Sequence, residues 1–553
     1  MVSLLSFKVG VNNEWLIENG YITSFLRLKI PIKPEFYWVK EKKYKGELKL
    51  NREKLTMIEL FSGIGAQIRG TDNTGLWDCT VVNTSDIDKD AMVSYAAVHC
   101  GLTNELIDTY TEYPTREEMA QYLTDRNIGF DFKKNQPYDW FKLAKRKNNE
   151  LNKYYLACVL SHNLGDISSI KSLEYADFWT YSFPCQDISV AGNQAGIVKG
   201  QTRSGLLYEV ERLLETAVAN NNQPKYLLLE NVKNLVGKQF KTQFDEWLNR
   251  LDELGYNTYW QVVNGKDCGI PQNRERVFAL SIRKDIDNLK FGFATPFDNG
   301  LRLRDMLQSK VEDTYFLSEE IQARFSLTDD TFTKSIVGTT KPEFRTIGQR
   351  DLVYQKDGVM GTLVATDYKQ PKQILEDVSI VQNPHGFNKG GEFENCTTIT
   401  SHSWENNNFV KQPLDQQYVD NISDKYSFAK RKAQDMLNEN GNLPEMFNPY
   451  NNYEVTDFAP TQTSCCDRSA STATVLKKEP NYRIRKLTPT ECWRLMGFND
   501  EDVAKSRAVK MSDTALYKQA GNSIITNCIS LIMEHLYKAQ IDDTYICSDE
   551  NFT

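Results

Sequence analysis

Met57-Ile-Glu-Leu-Phe-Ser-Gly-Ile-Gly65 is the stretch that decides the fold. The apolar run Met57 to Phe61 has the length of a strand and breaks into Ser62-Gly-Ile-Gly65, after which a helix candidate continues through Arg69. Glycines at such a turn let the backbone approach a ligand closely, at the carboxyl end of a parallel strand. A second strand, Cys79 to Thr84, ends at Asp86, where a carboxylate can bind ribose hydroxyls, and a helix runs from Asp88 toward His99. The pair of features points to an adenosine-bearing cofactor; a tight strand-to-helix turn without a ligand accounts for it equally. Neither the GxGxxG of nicotinamide enzymes nor a phosphate-binding GxxxxGK[ST] loop occurs.

Outward from that stretch, strands are expected at Phe178–Ser182, Tyr226–Leu229, Tyr256–Val263 and Val277–Ile282, with helices at Leu206–Ala219 and Phe240–Leu254. This alternation predicts an α/β domain with a doubly wound, mostly parallel sheet. Residues 102–163 carry charged, Tyr-rich helical segments and read as an insertion. After about Asp287 the rhythm stops. Residues 290–480, rich in Asn, Asp, Thr, Gly and Gln, predict a second, irregular β-containing domain, and their Thr-rich phrases are too unevenly spaced for a repeat. Helical periodicity returns at Thr488–Met496 and Asn522–Tyr537.

The 553 residues carry 66 Lys+Arg against 74 Asp+Glu, a net charge of −8, with 40% apolar and 25% charged residues. That describes a soluble globular chain of several domains and excludes disordered and collagenous classes. The acidic total leans away from a protein that coats nucleic acid, but a local basic cleft is compatible with it. The eleven cysteines form no CxxC pair and sit at no zinc-ligand spacing from the five histidines, so reduced thiols in a cytoplasm and no metal are expected. No cationic signal segment opens the sequence, and no window approaches 18 consecutive apolar residues, so no membrane association is expected.

Three further segments carry chemistry. Ser182-Phe-Pro-Cys-Gln186 follows a strand end, which puts Cys185 on the same sheet edge as the glycine turn; a lone cysteine is ordinarily inert, whereas a Pro-Cys at a functional edge is a nucleophile candidate. Leu229-Glu-Asn-Val232 places Glu230 at the next strand end, where burial raises a carboxyl pKa and suits a general acid. Gln272-Asn-Arg-Glu-Arg276 opens a further strand, and Arg274 and Arg276 at i and i+2 would project to one side, as anion or carbonyl-oxygen binding requires. Surface salt bridges are the bland alternative for each.

In this order the segments are recognisable, together with Arg485-x-Leu487-Thr488-Pro489-x-Glu491, Met496-Gly497-Phe498 and Gln519-Ala-Gly521-Asn522-Ser523. The chain resembles the C5-cytosine DNA methyltransferases of the bacterial and phage modification type, over residues 57–285 and 483–537. The resemblance implies the fold of S-adenosylmethionine-dependent methyltransferases, with a smaller target-recognition domain. It implies base flipping and a covalent adduct of Cys185 at C6 of cytosine, Glu230 on N3, Arg276 on O2 and Arg274 in support. Pro184 and Gln186 flank the nucleophile as substrate-binding residues. S-adenosylmethionine, leaving as S-adenosylhomocysteine, is assigned to Phe61, Gly63, Gly65, Asp86, Ile87, Asp166, Ile167, Leu206 and Asn522.

The implied division is an extension at 1–56, a catalytic domain at 57–287, target recognition at 288–484, a return segment at 485–540 and a tail at 541–553. Residues 1–56, with their Lys- and Tyr-rich stretch, read as a solvated extension or as a basic arm on DNA. Double-stranded DNA is the implied partner of a cytoplasmic monomer in a bacterial or phage-infected cell, and a separately acting restriction endonuclease is compatible with it. Glu59 stands where the family usually has aspartate and is expected to keep its charge. Arg274, Arg276, Arg483, Arg485 and Lys486 are expected to line the basic DNA cleft. A tRNA methyltransferase, or a DNA-binding homologue that has lost catalysis, is the alternative.

Overall fold

A computed structural model of the chain describes residues 52–130, 136–184, 188, 204–318, 326–327, 335–340, 349–377, 380–382, 391–393, 408–410, 430–431, 434–435, 438, 446–448, 453–454, 476–477, 482–541 and 545. The chain divides into two compact units: the first comprises residues up to Ile270, Arg274–Leu301 and the chain from Trp493 on; the second comprises Pro271–Asn273 and Arg302–Cys492.

The first unit is built on β1 (Glu53–Leu60), α1 (Ala66–Asn73), β2 (Trp77–Ser85) and α2 (Lys89–His99). Four helices of the insertion follow: α3 (Asn104–Thr109), α4 (Arg116–Asp125), α5 (Trp140–Ala144) and α6 (Glu150–Leu160). Then come β3 (Phe178–Tyr181), α7 (Leu207–Ala219), β4 (Tyr226–Val232), α8 (Lys241–Glu253), β5 (Tyr256–Asn264) and β6 (Glu275–Arg283). The sheet runs β2-β1-β3-β4-β6-β5. The pairs β1–β2, β1–β3 and β3–β4 are parallel, while β6 lies antiparallel to both β4 and β5. The sheet is therefore mostly parallel with one reversed strand. The strand of the opening stretch begins at Glu53, four residues before Met57.

Central strands buried on both faces need continuous apolar runs, and β3 (Phe-Trp-Thr-Tyr) and the first four residues of β4 (Tyr-Leu-Leu-Leu) are buried throughout. Leu207, Val210, Leu213, Leu214 and Ala217 form the apolar stripe of α7, and Phe244, Trp247 and Leu251 that of α8. Both stripes join a core with Trp179, Tyr181, Leu227 and Leu229.

The C-terminal segment contributes α9 (Asp500–Ala508), α10 (Asp513–Asn522) and α11 (Thr526–Ile541). Helix α11 lies against α1: Ser530 Oγ donates to the Gly70 carbonyl (2.8 Å), and the Trp77 indole donates to the Met533 carbonyl (3.1 Å). Helix α10 is docked on α2 by Gln519, whose Oε1 accepts from Ser94 Oγ (3.0 Å) and whose Nε2 donates to the Asp90 carbonyl (2.9 Å). Helix α10 has no counterpart among the expected helices, and α11 starts four residues after the expected Asn522, because the Gly521-Asn-Ser523 break between them falls inside a continuous apolar periodicity.

In the second unit the strands Tyr482–Lys486, Gln373–Asp377, Leu352–Tyr354, Ile336–Thr339 and Ser326–Leu327 form one sheet in that order. Only one of its four pairings is parallel. This unit runs on to Cys492, and Tyr482–Lys486 pairs with Gln373–Asp377. Arg485 and Glu491 then form a fully buried bidentate ion pair (2.8 and 2.9 Å). Glu491 also accepts from the Thr488 and Gln308 amides (2.8 Å each), and its own amide donates to Thr488 Oγ1 (3.2 Å). Thr488-Pro-Thr-Glu491 is thus a capping box with proline in the first turn. Arg485 is spent on this pair and does not line a basic cleft, which corrects that expectation. Removing one member of a buried pair strands the other charge. Arg485→Met should therefore lower stability by about 3–5 kcal/mol in urea unfolding, and Arg485→Met/Glu491→Leu should recover part of the loss.

Candidate active site

A single rung of the sheet aligns Ser85, Leu60, Tyr181, Leu229, Ala279 and Trp260 across all six strands. Because β1 to β4 run the same way, the chain leaves each of them at one edge. Asp86, Phe61, Ser182 and Glu230 each follow the rung by one residue. Strand β6 runs the other way, so its beginning meets that same edge, and Arg276 pairs with Val232. Five segments of the sequence are thereby gathered on one line.

At β1 the turn is held open by unusual backbone. Phe61 (φ 61°) and Gly65 (φ 77°) are left-handed, a conformation that costs a non-glycine residue energy and clusters at functional sites. The Phe61 amide donates to the Ser85 carbonyl (2.7 Å), and the Gly63 amide to Asp86 Oδ2 (2.8 Å). A Cβ on Gly63 would meet nothing within 4 Å, so there is open space beside the turn. A Cβ on Gly65 would lie 2.5 Å from His99 Nε2, which is bound to the Ile64 carbonyl at 3.0 Å, so only glycine fits there. Asp86 also accepts from the Asp88 amide (2.7 Å). Burial, reinforced by the Asp88 charge, pushes the Asp86 carboxyl up to about 6.

The other cofactor residues implied by the resemblance lie on neighbouring segments. Asp166 caps the short turn Ile167–Ser169 by accepting from the Ser168 amide (3.0 Å), and Ile167 is buried in the core. Leu206 is the residue before α7, and Asn522 is the exposed last residue of α10. The chain thus offers left-handed backbone, open space beside it and half-buried carboxylates, a set that suits an adenosine group with its hydroxyl and amine donors.

Glu230 is 9% exposed and paired with Arg276 (Nε to Oε1, 3.2 Å). It faces Phe278 across the ladder, so Arg276 is its diagonal neighbour on the same face. Burial raises the Glu230 carboxyl above its ordinary value, with Arg276 and then Arg274 opposing that rise. Arg274 is close enough for its charge to act on Glu230, and it also reaches the C-terminal segment. It precedes β6, its amide donates to Asn264 Oδ1 (2.9 Å), and its guanidinium donates to the carbonyls of Gly521 (3.2 Å) and Ser523 (2.6 Å). It thereby touches the two residues that flank Asn522.

Cys185 and Gln186 lie outside the described residues; the carbonyls that flank them in sequence do not. Asn231 Nδ2 donates to the Phe183 carbonyl (3.0 Å), Ser204 Oγ to the Pro184 carbonyl (2.7 Å), and Asn234 Nδ2 to the Ile188 carbonyl (2.5 Å). The sequence reading missed this clamp. Its signal is the two asparagines of Glu230-Asn-Val-Lys-Asn234, amide donors placed directly after a buried strand.

Glu59, expected to keep its charge, is fully buried beneath the turn, accepting from the Tyr95 hydroxyl (2.5 Å) and the Ile68 amide (3.0 Å). Burial outweighs those bonds and pushes it up to about 7. Among the described residues no group of three or more His, Cys, Asp or Glu is arranged to hold a metal ion, and no helix is long and apolar enough to cross a membrane.

A mostly parallel sheet whose carboxyl edge carries such a turn defines a nucleotide-cofactor α/β enzyme. The family model "C-5 cytosine-specific DNA methylase" matches residues 140–538. The type II methyltransferase M2.ScrFI of Lactococcus lactis subsp. cremoris is 29% identical over 489 residues, covering 88% of this chain and all of that protein. The orphan methyltransferase M.SssI of Spiroplasma monobiae is 34% identical over 291 residues, covering 51% of this chain and 72% of that protein. Among solved structures, an Entamoeba histolytica methyltransferase aligns over 88% of this chain and 99% of its own, with 14% identity and a TM-score of 0.44. The chain belongs to the C-5 cytosine-specific DNA methylases, enzymes that methylate cytosine at C5 in DNA using S-adenosylmethionine. The RNA and silent alternatives are not favoured.

The buried Glu59 yields a test of the turn's electrostatics. Its native pKa, about 7, lies above the ordinary 4.5, so the folded state binds the proton more tightly. Stability from this group is complete below the ordinary value and is lost as pH rises through about 7. Thermal unfolding between pH 5 and 8 should show Glu59→Gln with a flatter pH dependence than the wild type and greater relative stability at pH 8; identical slopes would refute the account.

Proposed function

We propose that this enzyme methylates one cytosine within a specific DNA sequence through a covalent Cys185 adduct. The observation that carries the reading is the buried Glu230–Arg276 pair on the same sheet edge as the clamped Phe183 and Pro184 carbonyls and the open glycine turn. A cytosine inside a duplex is out of reach of such an edge, so the base must be flipped out of the stack. Cys185 adds as a thiolate to C6, and the ring electrons move toward N3. Glu230 delivers a proton to N3, for which its raised pKa suits it. Arg276 orients the ring by donating to O2 and holds Glu230 in place. C5 becomes enamine-like, which makes an inert aromatic carbon nucleophilic. Bound S-adenosylmethionine supplies the electrophilic methyl group that C5 takes up. Loss of the C5 proton to a base and β-elimination then restore the thiolate, as the N3 proton returns to Glu230.

Phe61, Gly63, Gly65, Asp86, Ile87, Asp166, Ile167, Leu206 and Asn522 would hold the cofactor, and Pro184 and Gln186 would contact the flipped base. Arg274 acts by fixing the carbonyls beside Asn522. The second unit is assigned the reading of the target sequence, the protein acts as a monomer in a bacterial or phage-infected cytoplasm, and no metal takes part.

Transfer of labelled methyl groups into duplex DNA, with tRNA as the competing substrate, tests the reading. The wild type should label DNA, and Cys185→Ser should abolish labelling while DNA binding survives. Glu230→Gln should lower kcat by about 10²–10⁴. For the wild type, kcat/KM should fall as pH rises through the raised Glu230 pKa, because only the protonated carboxyl delivers the N3 proton. Labelling of tRNA alone, or undiminished transfer by Cys185→Ser, would overturn it.

A further inference from the structure

We infer that the inserted helices build one wall of the cofactor site, with Asn127 as the positioning residue that holds Asp166. The inference rests on the assignment of Asp86, Ile87 and Asp166 to the cofactor. It gives a role to residues 102–163, which none of the catalytic or cofactor assignments involves.

The segment 126–129, between α4 and α5, meets the cofactor residues at three points. The Arg126 carbonyl accepts from the Asp166 amide (2.9 Å), Asn127 Nδ2 donates to Asp166 Oδ2 (3.2 Å), and the Gly129 amide donates to the Ile87 carbonyl (2.7 Å). The approach is close enough that a Cβ on Gly165 would lie 2.0 Å from the Arg126 carbonyl oxygen, so only glycine admits the wall at that point. The far end of the insertion makes a second tie. Asn163 Oδ1 accepts from the amides of Asp86 (3.1 Å) and Gly165 (2.9 Å), and its Nδ2 donates to the Asp86 carbonyl (2.9 Å). Two asparagines of the insertion thus fix the spacing of the two carboxylates.

The wall is itself rigidly supported. The Trp140 indole donates to the Ile128 carbonyl (2.8 Å), and the Arg126 guanidinium lies 3.6 Å from the Tyr122 ring centre. Asn127 is left-handed (φ 53°), a conformation asparagine tolerates better than most residues. With Oδ1 of Asp166 taken by the Ser168 amide and Oδ2 by Asn127, the plane of the carboxylate is set. Each oxygen keeps a further lone pair for a ligand donor.

Titration calorimetry of the full chain with S-adenosylmethionine and with S-adenosylhomocysteine, alongside steady-state kinetics, tests the inference. Asn127→Gly keeps the left-handed backbone and removes only the amide. It should weaken cofactor binding and raise the cofactor KM by about tenfold, the scale of one hydrogen bond to a charged group. Its kcat at saturating cofactor, its DNA affinity and its melting temperature should stay at wild-type values. Asn127→Asp, which sets a like charge against Asp166, should weaken the cofactor further. Asp166→Ala is the reference. If it weakens the cofactor while Asn127→Gly and Asn127→Asp bind as the wild type does, the positioning role is refuted. If Asp166→Ala also binds normally, the cofactor assignment of Asp166 falls and takes the inference with it.

Discussion

The site depends on the direction of one strand. With β1 to β4 parallel, their carboxyl ends deliver the glycine turn, Asp86, the Pro184 segment and Glu230 to one edge. Had β6 followed the same direction, Arg276 would begin its strand at the opposite edge, a strand length away. The reversed β6 brings Arg276 beside Val232 and within 3.2 Å of Glu230. Burial raises a carboxyl's pKa, and a nearby cation limits that rise. Glu230 has both: burial raises it, and Arg276 moderates the shift.

Rigidity around the site comes from backbone carbonyls gripped by side chains. Asn231, Asn234 and Ser204 hold those flanking Cys185 in sequence, Arg274 holds those flanking Asn522, and Asn163 spans Asp86 and Gly165. Each grip replaces a hydrogen bond that a loop would otherwise make to water, so irregular chain can be held in a fixed geometry. The C-terminal helices add a second constraint. Because α11 packs on α1, the chain from Trp493 on completes the unit that the first strand begins.

Much of this was legible in the sequence for a physical reason. Buried parallel strands need unbroken apolar runs, so Tyr226–Leu229 and Phe178–Tyr181 announce themselves, and the Gly-rich break after Phe61 marks a strand-to-helix turn. The charge pattern was less readable. Arg485 looked like a DNA ligand, since a buried ion pair and an exposed cation have the same letter; only the pairing of its strand with Gln373–Asp377 reveals the partner, Glu491. The bonds of Arg274 to the Gly521 and Ser523 carbonyls were equally unreadable, because their partners lie 247 and 249 residues away in sequence. The two asparagine ties of the insertion were invisible, because they depend on which distant carboxylates the fold brings near.

The central claim is that this edge forms a covalent bond to cytosine through Cys185, and DNA carrying 5-fluorocytosine at the target position tests it most directly. Fluorine at C5 cannot leave as a proton does, so β-elimination is blocked and the adduct persists. With S-adenosylmethionine present, the account predicts a denaturant-resistant protein–DNA complex whose peptide mass map places the nucleotide on Cys185. An enzyme that methylates ordinary DNA but forms no such complex, or forms it on another cysteine, would contradict it.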